Sequence, residues 1–166
     1  RVREMAEVFT PSWICNSQNN LIDNDWFGRN SVFNEELVLV DGTQTWKTHK
    51  HKIAFPKGKT WIDYVNETRL EVTCGEAPYI SSRYDATSGN FIPIEERIGL
   101  LDRKLRIINE NVQDSIEWLA AAQNAFKNVY AFEWQGDSLL LARESMLITF
   151  IENYKMKFKN EPMTKY

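Results

Sequence analysis

Residues 70–80 read Leu-Glu-Val-Thr-Cys-Gly-Glu-Ala-Pro-Tyr-Ile. A strand that ends in a small residue and a glycine lets backbone approach a ligand closely. Glu71, near that strand end, can accept hydrogen bonds from a ligand amine. A strand followed by a tight turn explains the same residues. A second acid, Glu133, follows Tyr130-Ala131-Phe132. Its carboxylate can take both ribose hydroxyls of a nucleotide-type ligand; a solvated loop acid is the plainer reading. The usual spacing from glycine turn to ribose acid is about 20 residues. Glu71 and Glu133 lie 62 apart, which demands a long insertion. A third segment, Glu7-Val8-Phe9-Thr10-Pro11, has a proline that fixes the backbone and pushes Thr10 toward extended geometry. Thr10 is placed to cap a following helix.

Other clusters are thinner. Lys47, His49, Lys50, His51, Lys52, Lys57 and Lys59 interleave with Trp46, Phe55 and Trp61. Lys47, Lys50 and Lys52 are the candidates to meet DNA phosphates, with the aromatics stacking on unpaired bases. A solvated hairpin over core aromatics is the competing reading. His49 and His51 alternate and could share a strand face, yet nothing supplies the remaining ligands of a metal site. Cys15 and Cys74 lack a readable Cys–His spacing. Asn66-Glu67-Thr68 fits a glycosylation sequon without a secretory context.

The elements that must position these residues follow from pattern. Residues 1–34 read as loop, short helix, loop. Residues 35–59 read as a β-hairpin, with apolar runs at 37–40 and 53–55 around Asp41-Gly42. Residues 60–153 read as an α/β core. Its parts are a helix at 61–67, a buried strand at 69–73 and a helix from about 95 to 112. The last is carried by Leu101, Leu105, Ile108 and Val112. A helix over 116–126 follows, capped by Asp114 or Ser115. Then come a strand at 129–134 and a helix opened by Gly136-Asp137. That final helix is apolar nearly all round and is expected to be largely buried. A polar tail, 154–166, closes the chain. Strand, helices, strand, helix points to a parallel sheet whose loops share one edge.

The chain has 166 residues, 43% hydrophobic and 26% charged, which suits one domain with a real core. Its 6 Trp, 6 Tyr and 9 Phe argue against long disorder. No apolar run reaches membrane-spanning length, and no secretory signal is readable. A net charge of −3 excludes a wholly basic nucleic-acid coat but not a local patch. Two cysteines are too few for a disulfide scaffold and suit a cytoplasmic setting.

Taken together, the three motifs resemble those of S-adenosylmethionine-dependent DNA adenine-N6 methyltransferases of restriction–modification systems. Glu7 to Pro11 is similar to the family's "(E/Q)xFTP" segment. Leu70, Glu71, Cys74, Gly75, Tyr79 and Ile80 follow "L(D/E)PxCGxGxF(L)". Val129, Tyr130, Glu133, Ala142 and Leu147 follow "(I/V)YGx(D/E)IDPxAxxLAxxRL". The chain as a whole also resembles small proteins labelled restriction endonuclease subunit M. The resemblance implies a partial Rossmann-like, methyltransferase-type parallel sheet, α/β in class, with an N-terminal helix and β-hairpin extension. It implies S-adenosylmethionine as cofactor. Glu71, Cys74 and Gly75 would face its methionine part, Glu133 would hold the ribose, and Trp134 would lie beside the adenine. Phe9, Thr10 and Pro11 would close the site.

The sequence departs from that pattern in places. The second motif glycine is Ala77, followed by Pro78, and Val72 stands where the family has proline before Thr73. The catalytic "(D/N)PP(Y/F)" segment does not occur in these residues. It would bind the target amine and stack on the flipped adenine. Methyl transfer is in-line attack of the amine on the sulfonium methyl, and positioning supplies most of its acceleration. The expectation is therefore the cofactor-binding portion of such an enzyme, bacterial or phage-borne, completed by further sequence or a partner chain. Arg1 and the polar end at Tyr166 suit a fragment. One rival is a non-catalytic, DNA-associated or regulatory subunit of the same shape. Another is an assembly protein that uses exposed aromatics against a partner.

Overall fold

The structure, a computed structural model, describes residues 9–162. In chain order its elements are α1 (Ser12–Phe27), β1 (Asn34–Val38), β2 (Gln44–Thr48), α2 (Trp61–Asn66) and β3 (Arg69–Val72). A 3-10 turn (Ile94–Glu96), α3 (Leu100–Asn111), α4 (Ser115–Lys127), β4 (Val129–Phe132) and α5 (Gly136–Phe158) follow. Mixed α/β is thus the class, with one antiparallel hairpin and one parallel pair.

Helix α1 replaces the short helix expected within residues 1–34, and its buried side is polar: Asn16, Asn19, Asn20 and Asp23. Asn16, Asn20 and Asp23 converge on Arg103 of α3. Arg103 Nη1 donates to Asp23 Oδ2 at 2.6 Å, and Nη2 donates to Asn16 at 2.9 Å and Asn20 at 2.8 Å. Asn16 and Asn20 also hold Asn34 of β1. Tyr64 of α2 donates its hydroxyl to Asp23 at 2.8 Å. A buried charge survives only when paired and hydrogen-bonded, and here the network around one guanidinium joins α1, α2, α3 and β1.

The hairpin turns where Asp41-Gly42 said it would, but its second strand is 44–48 rather than 53–55. Leu39 N–H bonds Thr43 O at 2.8 Å, and the ladder resumes at once, Val38 opposite Gln44. Ile53 instead pins a loop to the core, its N–H donating to Glu110 of α3 at 2.9 Å.

Helix α3 starts at Leu100, later than residue 95, because Ile94–Glu96 closes a separate 3-10 turn. Leu101, Leu105, Ile107 and Ile108 lie fully inside the core. Asp114 caps α4 by accepting from Ile116 and Glu117 N–H. Gly99, the N-cap of α3, owes its identity to close approach: a Cβ there would stand 2.3 Å from Ile80 O. Gly99→Ala is expected to cost about 3 kcal/mol, since backbone must shift; a urea melt with the stability of the native sequence would refute this.

Strands β3 and β4 pair in parallel, Arg69 opposite Val129 through Val72 opposite Phe132. Parallel strands need a crossover, here the loop after β3 with α3 and α4. Lys104 of α3, buried, donates to Glu67 O and Asn128 O. Both carbonyls end helices just ahead of the two strands, so one ammonium ties the strand starts together. Burial pushes its pKa down to about 7.

Two expectations of burial are overturned. Strand β3 is not buried on both faces: Leu70 and Val72 are 57% and 63% exposed, beside Tyr130 and Phe132 of β4 at 48% and 59%. Parallel sheets are ordinarily covered on both faces, but the described helices pack on only one side of this pair. Nor is α5 largely buried. Its inner side is Ala142, Ser145, Thr149, Asn153 and Tyr154, while Leu140, Leu141 and Leu147 are exposed. Small residues let α5 approach closely: Ser81 Oγ lies 3.2 Å from Ser145 Oγ and 2.9 Å from Thr149 Oγ1. No helix among the described residues is long and apolar enough to cross a membrane.

Candidate functional site

Both strands of the parallel pair end at one edge, and the loop after β3 turns back there. Thr73, Gly75 and Ala77 have φ of 54°, 55° and 58°, while the intervening Cys74 and Glu76 are not left-handed. The amides of this turn are engaged within the protein: Cys74 N–H donates to Phe132 O, Gly75 N–H to Glu133 and Ala77 N–H to Cys74 O. For a non-glycine residue the left-handed region costs about 1–2 kcal/mol, and such strain concentrates at ligand sites. Ala77 therefore occupies a glycine-like conformation, its methyl group buried.

Cys74 N–H donates to Phe132 O at 2.9 Å, which extends the strand pairing by one step and sets the loop beside Glu133. Glu133 Oε2 accepts from Gly75 N–H at 2.7 Å, and Oε1 accepts from Gln135 N–H at 2.9 Å. The Gln135 and Gly75 amides hold its carboxyl below the usual carboxylate range, so it is ionised at neutral pH. A carboxylate has about four acceptor positions; two of these remain, enough for a vicinal diol.

Glu71 lies on the inner side of β3. Burial pushes its pKa up to about 8, against the opposing pull of the Tyr79 and Ile80 amides. Its Oε2 is buried and unpartnered. Cys15 and Cys74 both feel its charge. Burial first, then Glu71 and Asp85, lift Cys15 to about 12; burial, Glu71 and Glu133 lift Cys74 to about 11. Both are free thiols and neither is a nucleophile at neutral pH.

The start of α1 joins this edge. Pro11 stands at the N-cap without a capping side chain, so the expectation that Thr10 caps the helix is corrected. Asp85 does it from the loop after β3, accepting Ser12 N–H at 2.7 Å. Asp85 also accepts from Thr87 and Ser88. Burial raises its pKa, but the Thr87, Ser12 and Ser88 donors outweigh that and hold it low. Asn19 Nδ2 donates to Tyr79 O and Ile98 O, each at 3.0 Å, fixing the far side of the loop to α1.

The structure thus gathers Pro11, Glu71, Cys74, Gly75 and Glu133 at one end of the parallel pair. Phe9 and Trp134 are both exposed. Glu7 and Val8 lie outside the described residues, as do residues 163–166 of the tail.

The lysine cluster sits elsewhere. Lys47, Lys50 and Lys52 are exposed on and after β2. Phe55 and Trp61 pack on the core, and Lys59 lies 4.2 Å over the Trp26 ring while donating to Trp26 O. Of the interleaved aromatics only Trp46 stays with the lysines. The His49 and His51 rings stack at 5.1 Å. No group of three or more His, Cys, Asp or Glu among the described residues could hold a metal ion.

No protein-family model, curated protein or solved structure matches the chain. The site therefore rests on its own geometry. Sequence reading missed the part that Cys15 and Asn19 play here and the capping role of Asp85. Only Asp85 carried a signal, in the turn chemistry of Asp85-Ala86-Thr87-Ser88-Gly89. The others sit there because of how α1 packs.

Proposed function

We propose that this chain is the cofactor-binding portion of an S-adenosylmethionine-dependent DNA adenine-N6 methyltransferase, working in the cytoplasm. The observation that carries the reading is the Glu133–Gly75 contact. An ionised acid at the end of one parallel strand accepts from the glycine turn that ends its neighbour. Glu133 would take the ribose hydroxyls, and Glu71 would meet the methionine amine on the inner side of the same loop. The start of α1 lies beside that loop through Ser12 and Asp85.

The uncovered face of Leu70, Val72, Tyr130 and Phe132 supports the second half of the reading. More sheet and helix, from further sequence or a partner chain, would cover it and supply the amine-binding segment. A non-catalytic methyltransferase-like subunit, DNA-associated or regulatory, is the second reading. The absence of a "(D/N)PP(Y/F)" segment from these residues favours it.

Calorimetry with S-adenosylmethionine tests the cofactor site. Glu133→Ala is expected to weaken binding by about 1–3 kcal/mol, the value of a polar contact left unmade. No heat of binding to the native chain at millimolar cofactor would reject the reading. Unchanged affinity in the variant would reject the role of Glu133.

A further inference from the structure

Residues 49–59 carry four lysines and two histidines and no acidic residue, in a chain whose net charge is −3. The segment joins β2 to α2 without regular structure, yet its backbone is held along its length. Arg106 Nη2 donates to His49 O at 2.6 Å and to His51 O at 3.2 Å. The Ile53 amide donates to Glu110, and the Ile53 side chain is buried. Phe55 packs on Phe27, ring centroids 5.7 Å apart. Lys59 N–H donates to Pro56 O at 3.0 Å and closes the last turn. The large apolar side chains of the segment are thus spent on the core.

Its lysines face water: Lys50, Lys52, Lys57 and Lys59 are all exposed. Arg29 joins them from the loop after α1, because its Nη2 donates to Ala54 O at 2.9 Å. Among the described residues, none of these five cations forms a salt bridge. The side chains of Arg29 and Lys59 bond main-chain carbonyls, Ala54 O and Trp26 O. Acids on the flanking elements are largely engaged. Glu110 takes Arg106 and the Ile53 amide, Asp63 caps α2 with Thr60, and Glu67 takes the Trp26 indole. Asp25, exposed in the last turn of α1, offsets one charge of the five.

We infer that this tract is a docking surface for the phosphate backbone of a nucleic acid, engaged without regard to base sequence. Unpaired surface cations bind such a backbone by releasing its condensed counterions, and they need no apolar contact to do so. A protein partner would need an aromatic or aliphatic anchor to bury. Within this segment Ile53 and Phe55 are already committed to the core. The tract lies at the other end of α1 from the Glu71–Glu133 edge. Ser12 of α1 bonds Asp85 there, and Trp26 of α1 bonds Lys59 here. The 16 residues of the helix separate the two by about 24 Å. The surface shares no residue with that edge and does not rest on the cofactor reading.

The probes are a mixed-sequence DNA duplex, a single strand of equal length, and vesicles of phosphatidylserine with phosphatidylcholine. Binding of the whole chain is read by fluorescence anisotropy, and to vesicles by sedimentation, across a salt series. A melting curve accompanies every variant. Affinity for nucleic acid is expected to fall about as the fourth power of salt concentration, since five cations less one acid face the backbone. Lys50→Ala with Lys52→Ala and Lys57→Ala is expected to reduce that to about the first power. The melting temperature should hold, because these three side chains carry no ion pair. Calorimetry of the triple variant with S-adenosylmethionine should match the native chain, so the two sites fail or stand separately. Tighter binding of the duplex assigns double-stranded nucleic acid, and tighter binding of the strand assigns the unpaired form. No binding of either at about 100 µM protein in low salt overturns the inference. An unchanged salt dependence in the triple variant overturns it too, as does binding to the vesicles with none to nucleic acid.

Discussion

Asp23→Ala is expected to destabilise the protein by about 3–5 kcal/mol, the cost of leaving a buried charge without its counter-ion. Asp23 is 1% exposed and accepts from Arg103 at 2.6 Å and from the Tyr64 hydroxyl at 2.8 Å. Arg69 stands 3.5 Å away on the same carboxylate. Removing it strands two guanidiniums and one hydroxyl inside the fold. Asn16 and Asn20 would still accept from Arg103, but amides do not neutralise it. The loss would spread, because α1, α2, β3 and α3 all meet at this carboxylate. Urea denaturation at neutral pH measures it. A change below about 1 kcal/mol, the range of an exposed ion pair, would show that the network carries no such weight. Because α1 also holds the loop after β3, the variant should lose protection from hydrogen exchange at Gly75 to Ser81 first.

Glu71→Gln is expected to change how stability depends on pH. Burial raises the folded-state pKa of Glu71 from 4.5 to about 8. The folded chain therefore holds a proton that the unfolded chain has released across that window. The stability contributed by the neutral carboxyl is full below pH 4.5 and is lost as pH rises through 8. Gln carries no such cost. The variant should gain on the native sequence steadily from mildly acidic to mildly alkaline pH and then level off. The total is of the order of 5 kcal/mol, from about 1.4 kcal/mol per pKa unit. Parallel denaturation curves at matched pH check it, and a pH-independent difference would refute it. A cationic ligand amine at Glu71 would expel that proton, so amine binding at this carboxyl should tighten as pH rises toward 8.

Much of the core was legible in the chain. The spacing of Leu101, Leu105 and Ile108 marks α3 because its inner side is apolar at the helical period. The short, branched and aromatic run at 129–134 marks β4, and Asp114 or Ser115 marks the start of α4. Helix α1 was legible only as a short helix between loops. Its inner side is asparagine and aspartate, which in sequence look like a solvated surface. They are buried because Arg103 is, and no local pattern announces a pairing partner 80 residues away. Helix α5 misled in the opposite direction. Its leucines promised burial, yet close approach to Ser81 selected the small polar side.

By itself the sequence determined the order of strands and helices, the glycine turn after Glu71 and the acid after Phe132. Those depend on local propensity and on residues adjacent in the chain. Only the tertiary structure decided that Gly75 and Glu133 touch, that Asp85 rather than Thr10 caps α1, and that Glu71 lies inside. It also decided that one face of the parallel pair stays open. Each of these depends on which surfaces meet across long sequence separations. The burial that sets the Glu71 proton comes from those same contacts.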